Sequence, residues 1–478
     1  MLTVDRNTIA AVATPGGRGG VGIIRISGPE LEPFIPELVG APLSPRDASY
    51  RQFFGAAGEV IDEGIAIFFP GPASFTGEDV LELQGHGGVV VLAMLLRRVL
   101  ELGIRQARPG EFSERAFLNG KMDLAQVEAV ADLVSAGSEM AAQSALRSLQ
   151  GQFSSRIHDL VEDLIRLRMY VESAIDFPEE EVDFLADGKV GEGVSALLAR
   201  INEILAGAQQ GALLSEGTTV AIVGRPNAGK SSLMNALARR DTAIVSDIAG
   251  TTRDVLREAI LLDDLPLHLV DTAGLRDTEN VVEQEGVRRA WREIETADQI
   301  LYVIDSGLIN KVGEEFSEGL AREWLELQGH LSGHEAAVKS VQNRVAVVLN
   351  KTDLCEGDPR LAFAKLSSKA GISEDIKIIG VSAATDEGMD SLKQHLQSSV
   401  GFRPGSEGVF SARQRHLVAL ELAREHLVSA RALTSTVVVG ELVAEELRIA
   451  QVELGSITGE FTSDDLLGEI FSSFCIGK

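Results

Sequence analysis

A chain of 478 residues is too long for one ordinary hydrophobic core, so two or three domains are expected, and its net charge of −27 argues against a broad nucleic-acid clamp while leaving room for a local basic patch or a basic partner. Only two cysteines, Cys355 and Cys475, are present and their spacing is not that of a metal site, which excludes a disulfide framework and points to a reducing compartment. The longest apolar run, VVVLAMLL from Val89, stops at Arg97 and is too short to span a bilayer, and the early aspartate of MLTVDRN is unlike a signal peptide; no membrane association and a cytoplasmic location are expected.

Residues 1–120 are rich in glycine and β-formers: GGVGIIRISG and GEVIDEGIAIFF read as strands, and GHGGVVVLAMLLRRVLELG as a strand end followed by a helix. From Lys121 to about Gly207 apolar residues recur three and four apart, as in LAQVEAVADLVSA, which reads as helix; DFPEEEVDF, with its proline, predicts a break between helices. GALLSEG, at 211–217, looks like a hinge into the strand TTVAIVG. Over 218–400 apolar strands alternate with helices (VAIVG, LHLVDTAG, ILYVID, VAVVLNKTD, IIGVSA), the pattern of a doubly wound parallel sheet. GFRPGSEG at 401–408 reads as a polar exit linker, followed by more helix. Helical stretches on both sides of the α/β block suggest an α/β domain inserted into a helical one; two separate helical pieces are the alternative. The polar stretch from Gly307 to Gln342 is long for a connection and predicts helix plus loop, with no assigned function.

The chemistry concentrates in five ordered motifs. GRPNAGKSS, from Gly224 to Ser232, lies between a strand and a helix, where glycines let N–H groups of residues such as Asn227, Ala228 and Gly229 curl around phosphate; Lys230 supplies charge, Ser231 a hydroxyl for Mg²⁺, and Ser232 opens the helix. SDIAGTTRD, carrying Ser246, Thr251 and Thr252, suits a switch closing on the γ-phosphate. DTAG places Asp271 and Gly274 at a strand end. In NKTD (Asn350, Lys351, Asp353) the carboxylate can accept from both guanine N1–H and N2–H₂, and SAA (Ser382, Ala383) can touch the base oxygen through backbone N–H. Five such motifs in order define a GTPase. Leu275 stands where a water-orienting glutamine commonly follows DTAG, so water must be oriented otherwise or hydrolysis is slow. Arg276, Arg288 and Arg289 cannot be assigned as arginine fingers from sequence.

With these motifs, the stretches TPGGRGGVGIIRISG, RPGEFSERAFLNGKMDLAQ and FTSDDLLGEIFSSFCIGK make the chain strongly resemble, nearly end to end, the MnmE (TrmE) family of tRNA-modification GTPases. The resemblance implies a multidomain α/β plus all-α protein: an α+β folate-binding and dimerising domain at 1–120, a helical domain at 121–216 and 401–478, and a Ras-like doubly wound G domain inserted at 217–400. It further implies a homodimer, a heterotetramer with the FAD-dependent partner MnmG (GidA), and addition of an aminomethyl-type group to C5 of wobble uridine in certain tRNAs, using GTP and 5-formyl- or methylene-tetrahydrofolate. By matching motif, Asn227, Thr251 and the carbonyls of Ser246 and Ile248 hold K⁺, Ser231 and Thr252 hold Mg²⁺, and Glu283 positions water. Arg25, Glu82, Lys121 and Lys478 match the folate-binding positions; a carboxylate suits a pterin edge and cations suit a glutamyl tail. Cys475 is either a packing residue or a nucleophile that attacks C6 of uridine or handles the one-carbon unit, on a tail whose SDDLLGEIF predicts a short amphipathic helix. A GTPase switch that binds RNA or ribosome without modification chemistry is the competing reading; such proteins normally carry a basic module, and this chain is acidic.

Overall fold

A computed structural model of the chain describes residues 7–176, 188–240, 257–271, 288, 291–309, 314–331, 344–369, 371–373, 375–405, 409–434, 440–460, 464–472, 474 and 477. They divide into two compact units, one of residues 1–131, 148–201 and 418–478, the other of residues 132–147 and 202–417.

The first unit is built on a six-stranded sheet of β1 (Ile9–Val12), β2 (Gly22–Gly28), β3 (Ser49–Phe54), β4 (Val60–Phe69), β5 (Asp79–Gly85) and β6 (Arg105–Gln106), in the order β3-β4-β5-β2-β1-β6. All neighbours are antiparallel except β1 and β6. Alternation does the sorting: Ile24 and Ile26 of β2 and Leu81 and Leu83 of β5 are buried in one core with Leu92, Leu95 and Val99 of helix Val89–Glu101. Arg25 and Glu82 therefore fall on the opposite face. The helical part of this unit pairs Gln152–Asp176 with Gly440–Thr458, and Arg168 donates to Gln451 Oε1 across the pair at 2.5 Å.

In the second unit β7 (Thr218–Val223), β8 (Arg257–Leu262), β9 (Leu265–Asp271), β10 (Gln299–Asp305), β11 (Val345–Asn350) and β12 (Lys377–Gly380) form a sheet ordered β12-β11-β10-β7-β9-β8, parallel except for the β8–β9 hairpin. Burial on both faces explains why these strands read as unbroken apolar runs. Val220, Ile222, Leu301, Val303, Ala346 and Val348 meet helices Lys230–Arg240 and Met389–Ser399. Ala221, Ile300, Tyr302, Val345 and Val347 meet Leu320, Trp324 and Leu327 of helix Glu314–Leu331 and Phe363 of helix Pro359–Lys369. Between β7 and β10 the strand order reverses, and a crevice for ligands opens at the carboxyl ends of strands at such a point.

One expectation is corrected. Residues 211–217 are not a hinge: helix Lys189–Glu216 runs unbroken until Gly217 turns the chain at φ 71. Gly211 is there for proximity, since a Cβ would collide with the Phe410 carbonyl. Within the stretch 401–408, whose described residues 401–405 form neither helix nor strand, Phe402 is buried in the core of the parallel-sheet unit with Leu396 and Val409. The long 307–342 stretch does contain a helix, Glu314–Leu331. The break at DFPEEEVDF falls on residues 177–187, outside the described residues; helices end at Asp176 and resume at Lys189 on either side.

Candidate nucleotide site and N-terminal cradle

The phosphate loop occupies the switch point. It leaves β7 at Gly224 and enters helix Lys230–Arg240, so the first N–H groups of that helix face the loop interior. Asn227 takes the left-handed conformation at φ 64. Gly229, at φ 92, admits no side chain because a Cβ would strike the Asn350 amide. The Lys230 ammonium donates to the carbonyls of Gly224 at 2.7 Å and Arg225 at 3.2 Å, which holds a positive charge over the loop.

Asn350 ties this loop to the base-reading segments. Fully buried, it donates through Nδ2 to the Ala228 carbonyl at 3.0 Å and, more weakly, to that of Gly229 at 3.4 Å. Its Oδ1 accepts from Lys351 N–H at 2.8 Å and from Ala383 N–H at 3.2 Å. One side chain thus spans three of the sequence motifs. Lys351, itself left-handed at φ 64, donates to the Asn227 carbonyl at 2.7 Å and pairs with Asp305 at 2.6 Å. The exposed Asp353 carboxylate accepts from the buried Ser382 hydroxyl at 2.5 Å, which aims it while leaving lone pairs for a ligand. Ser306, also buried, donates to the Asn350 carbonyl. Asp305 and Ser306 were not singled out from sequence; their only signal was their place at the end of the apolar strand ILYVID.

Asn227, Ala228, Gly229, Lys230, Asn350, Lys351, Asp353, Ser382 and Ala383 are therefore brought together. Ser231 and Ser232 lie exposed on the first turn of helix Lys230–Arg240. Ser246, Ile248, Thr251, Thr252, Gly274, Leu275 and Glu283 lie outside the described residues, as do Cys475, Ile476 and Lys478; for Asp271 only the strand backbone is described. The donor set fits a nucleotide triphosphate, with a loop of N–H groups and an ammonium for phosphate, and an oriented carboxylate for guanine. Ser231 carries a hydroxyl of the kind that such loops lend to Mg²⁺, so the residues present would fit that ion together with phosphate and water. Among the described residues no cluster of His, Cys, Asp and Glu could hold a metal by itself.

In the first unit, strand register makes a second polar constellation. Arg25 on β2 is the register partner of Glu82 on β5, and the two are joined through Nε at 3.0 Å and Nη2 at 2.9 Å. The Arg25 guanidinium lies 5.3 Å from the Phe75 ring centre and 5.9 Å from that of Phe112. Lys121 donates to the Pro72 carbonyl at 3.0 Å, and its stem passes Gly77. Beside them helix Glu111–Leu118 is pinned by a buried ionic network. Glu111 accepts from Arg105 at 2.5 and 3.0 Å, from Arg108 N–H at 2.8 Å and from Arg115, which also reaches Glu78 at 2.9 Å. Burial alone pushes the Glu111 carboxyl up, but the Arg105 and Arg108 hydrogen bonds and the Arg105 and Arg115 charges outweigh it and hold it below the ordinary carboxylate range. Sequence reading missed this network, because RPGEFSER looks like an ordinary charged helix start.

The C-terminal segment is seated in the same unit. Helix Asp464–Ser472 places Leu467, Ile470 and Phe471, with Phe474, in a cluster with Leu124 and Val127. At Gly110, φ 66, a Cβ would strike the Phe471 carbonyl; at Gly477, φ 100, it would strike the Val12 carbonyl. Anchored residues thus stand on both sides of 475–476.

A family model for the MnmE helical domain matches residues 124–475, a span that encloses the parallel sheet, and one for the N-terminus of the GTP-binding protein TrmE matches residues 8–121. Era from Aquifex aeolicus, solved with GDP·AlF₄⁻, is 23% identical over 44% of this chain and 66% of its own, just under two thirds of its length, at a TM-score of 0.28. A GTP-binding protein from Sulfolobus solfataricus in complex with GDP is 17% identical over 62% of this chain and 78% of its own, at 0.28. The FeoB G-domain from Methanococcus jannaschii is 24% identical over 38% of this chain and 97% of its own, at 0.23.

Proposed function

The chain belongs to the MnmE (TrmE) family of tRNA-modification GTPases, and from that premise we propose that it binds and hydrolyses GTP at the loop 224–232 and serves a folate-dependent modification of wobble uridine. The observation that carries the first half is the Asn350 bracket, which joins the phosphate loop, the lysine that follows it and the Ala383 N–H into one site. In this reading Lys230 neutralises phosphate, and Asp353, aimed by Ser382, selects guanine. Ser231 and Thr252 hold Mg²⁺. Leu275 cannot orient water, so Glu283 takes that role, and a K⁺ held by Asn227, Thr251 and the carbonyls of Ser246 and Ile248 supplies the charge an arginine finger supplies elsewhere.

The Arg25–Glu82 pair supports the second half. A carboxylate already fixed by a guanidinium suits the amino-pyrimidine edge of a pterin, and Phe75 and Phe112 flank the same guanidinium. Lys121 and Lys478 would hold the glutamyl tail of a 5-formyl- or methylene-tetrahydrofolate, whose one-carbon unit is the group it supplies. Cys475, between seated neighbours, serves the modification as nucleophile or by packing. The functional assembly is a cytoplasmic homodimer working with the flavoprotein MnmG on tRNA.

The deciding assay measures modified wobble uridine with the partner flavoprotein added, alongside GTP turnover in K⁺ and in Na⁺. Modification that requires GTP and a reduced folate, with turnover much faster in K⁺, is expected. Turnover without any modification would favour the RNA- or ribosome-binding switch; equal turnover in both salts would remove the K⁺ role. Cys475→Ser should abolish modification and leave GTP turnover near wild type, and full modification by that variant would leave the thiol a packing role.

A further inference from the structure

The helix Glu314–Leu331 lies in the long stretch to which sequence reading gave no function. Its apolar side is spent on the sheet: Leu320, Trp324 and Leu327 are buried against β10 and β11. Its Glu323 makes two polar contacts. One carboxylate oxygen accepts from Arg225 Nε at 2.6 Å, and the other accepts from the Tyr302 hydroxyl at 3.0 Å. Arg225 is the second residue of the phosphate loop, and its guanidinium lies against Gly319 of the helix. Pro226 follows, which restricts the Arg225 backbone to extended conformations. The carbonyl of the same arginine accepts from Lys230. A chain of contacts therefore runs from Tyr302 through Glu323 and the Arg225 side chain to one of the two carbonyls that hold the phosphate-binding lysine, the other being that of Gly224. Burial, together with the Glu323 charge and hydrogen bond, pushes the Tyr302 phenol far above its ordinary range, so the hydroxyl is a permanent donor.

We propose that Glu323 is a positioning residue for the nucleotide: through Arg225 it sets the register of the loop, and thereby of the Lys230 ammonium, on the phosphates. Glu323 touches neither nucleotide nor metal in this role. The pair is about one-third exposed, with side-chain accessibilities of 35% and 36%, so its effect on fold stability is small. Its effect belongs in nucleotide affinity. GDP and GTP share the phosphates that the loop cradles, so both respond alike.

The proposal rests on the nucleotide site described above, and the test separates the two. Kd for GDP and for a non-hydrolysable GTP analogue is measured in the full chain by titration, with melting temperature recorded for each variant. Glu323→Ala and Arg225→Ala should each weaken both nucleotides about fivefold, and the double variant no further, because the two side chains act as a unit. Glu323→Gln, whose amide oxygen can still accept from Arg225 Nε while its N–H donates to the Tyr302 oxygen, should recover part of the loss. The melting temperature without nucleotide should hold near wild type in the Glu323 variants, because the pair is partly exposed. Unchanged Kd in Glu323→Ala, or additive losses in the double variant, overturns the positioning role while leaving the nucleotide site intact. A wild-type chain that binds neither nucleotide sinks both.

Discussion

In the nucleotide site most of the polar atoms that matter are backbone atoms, whereas in the Arg25–Glu82 cradle they are side chains from separate strands. The loop 224–230 works by conformation: Asn227 and Gly229 in left-handed geometry and a helix N-terminus supply its contacts within seven consecutive residues. The cradle works by register. Arg25 meets Glu82 because β2 and β5 pair antiparallel with Ile24 opposite Leu83, and a slip of either strand by one residue would turn its charge into the apolar core and part the pair. Conformation-based sites leave compact motifs; register-based sites leave scattered residues. Both depend on a buried polar bracket, Asn350 in one and Glu111 in the other, and the brackets are where the comparison can be tested.

The largest effect is expected at a group whose only work is recognition. Asp353→Asn should cost GTP at least about a hundredfold in affinity, because a site built to pair with two donors rejects a ligand it can no longer satisfy. Xanthosine triphosphate, which presents an acceptor at the 2-position, should gain. Titration of both nucleotides decides it, and unchanged GTP binding would show that the base is read elsewhere.

Removing a bracket should come next. Asn350→Ala leaves the Ala228 carbonyl and two partly buried N–H groups without that partner, a loss on the order of 2–3 kcal/mol. Denaturant unfolding without nucleotide should register that loss, and GDP binding should weaken with it. A variant as stable as wild type would reduce Asn350 to one contact among many.

Gly110→Ala probes the first unit alone. The new Cβ is strained at φ 66 and meets the Phe471 carbonyl, a cost of about 1–3 kcal/mol. Limited proteolysis should cut the segment after 460 faster than in wild type, with GTP affinity unchanged. Equal cleavage would mean that the C-terminal helix does not depend on this close approach.

The smallest effect is a slope in acid. The Glu111 carboxyl sits below its unfolded value, so it contributes stability above the ordinary carboxylate range, and that contribution disappears as pH falls through the folded value. Glu111→Gln should be less stable than wild type at neutral pH, and the two melting curves should converge in acid. A constant difference across pH would assign the loss to packing instead of charge.

Much of what the fold gathers around the loop 224–230 was legible in the residues themselves, because such a loop is local: its conformation depends on neighbours a few positions away, and NKTD and SAA stand at or just after the ends of strands whose apolar runs announce them. The doubly wound sheet was legible for the same reason, since burial on both faces leaves a pattern in every strand. Tertiary structure alone decided what crosses the chain. Asn350 reaches Ala228 over 122 positions, Arg225 meets Glu323 over 98, and Arg25 meets Glu82 over 57. Such contacts are set by how strands order and helices dock, and a single sequence shows periodicity without showing which faces meet. The helix that was expected to be a hinge at 211–217 failed for that reason: its small residues record the nearness of Phe410, a partner about 200 positions away that no local pattern reveals.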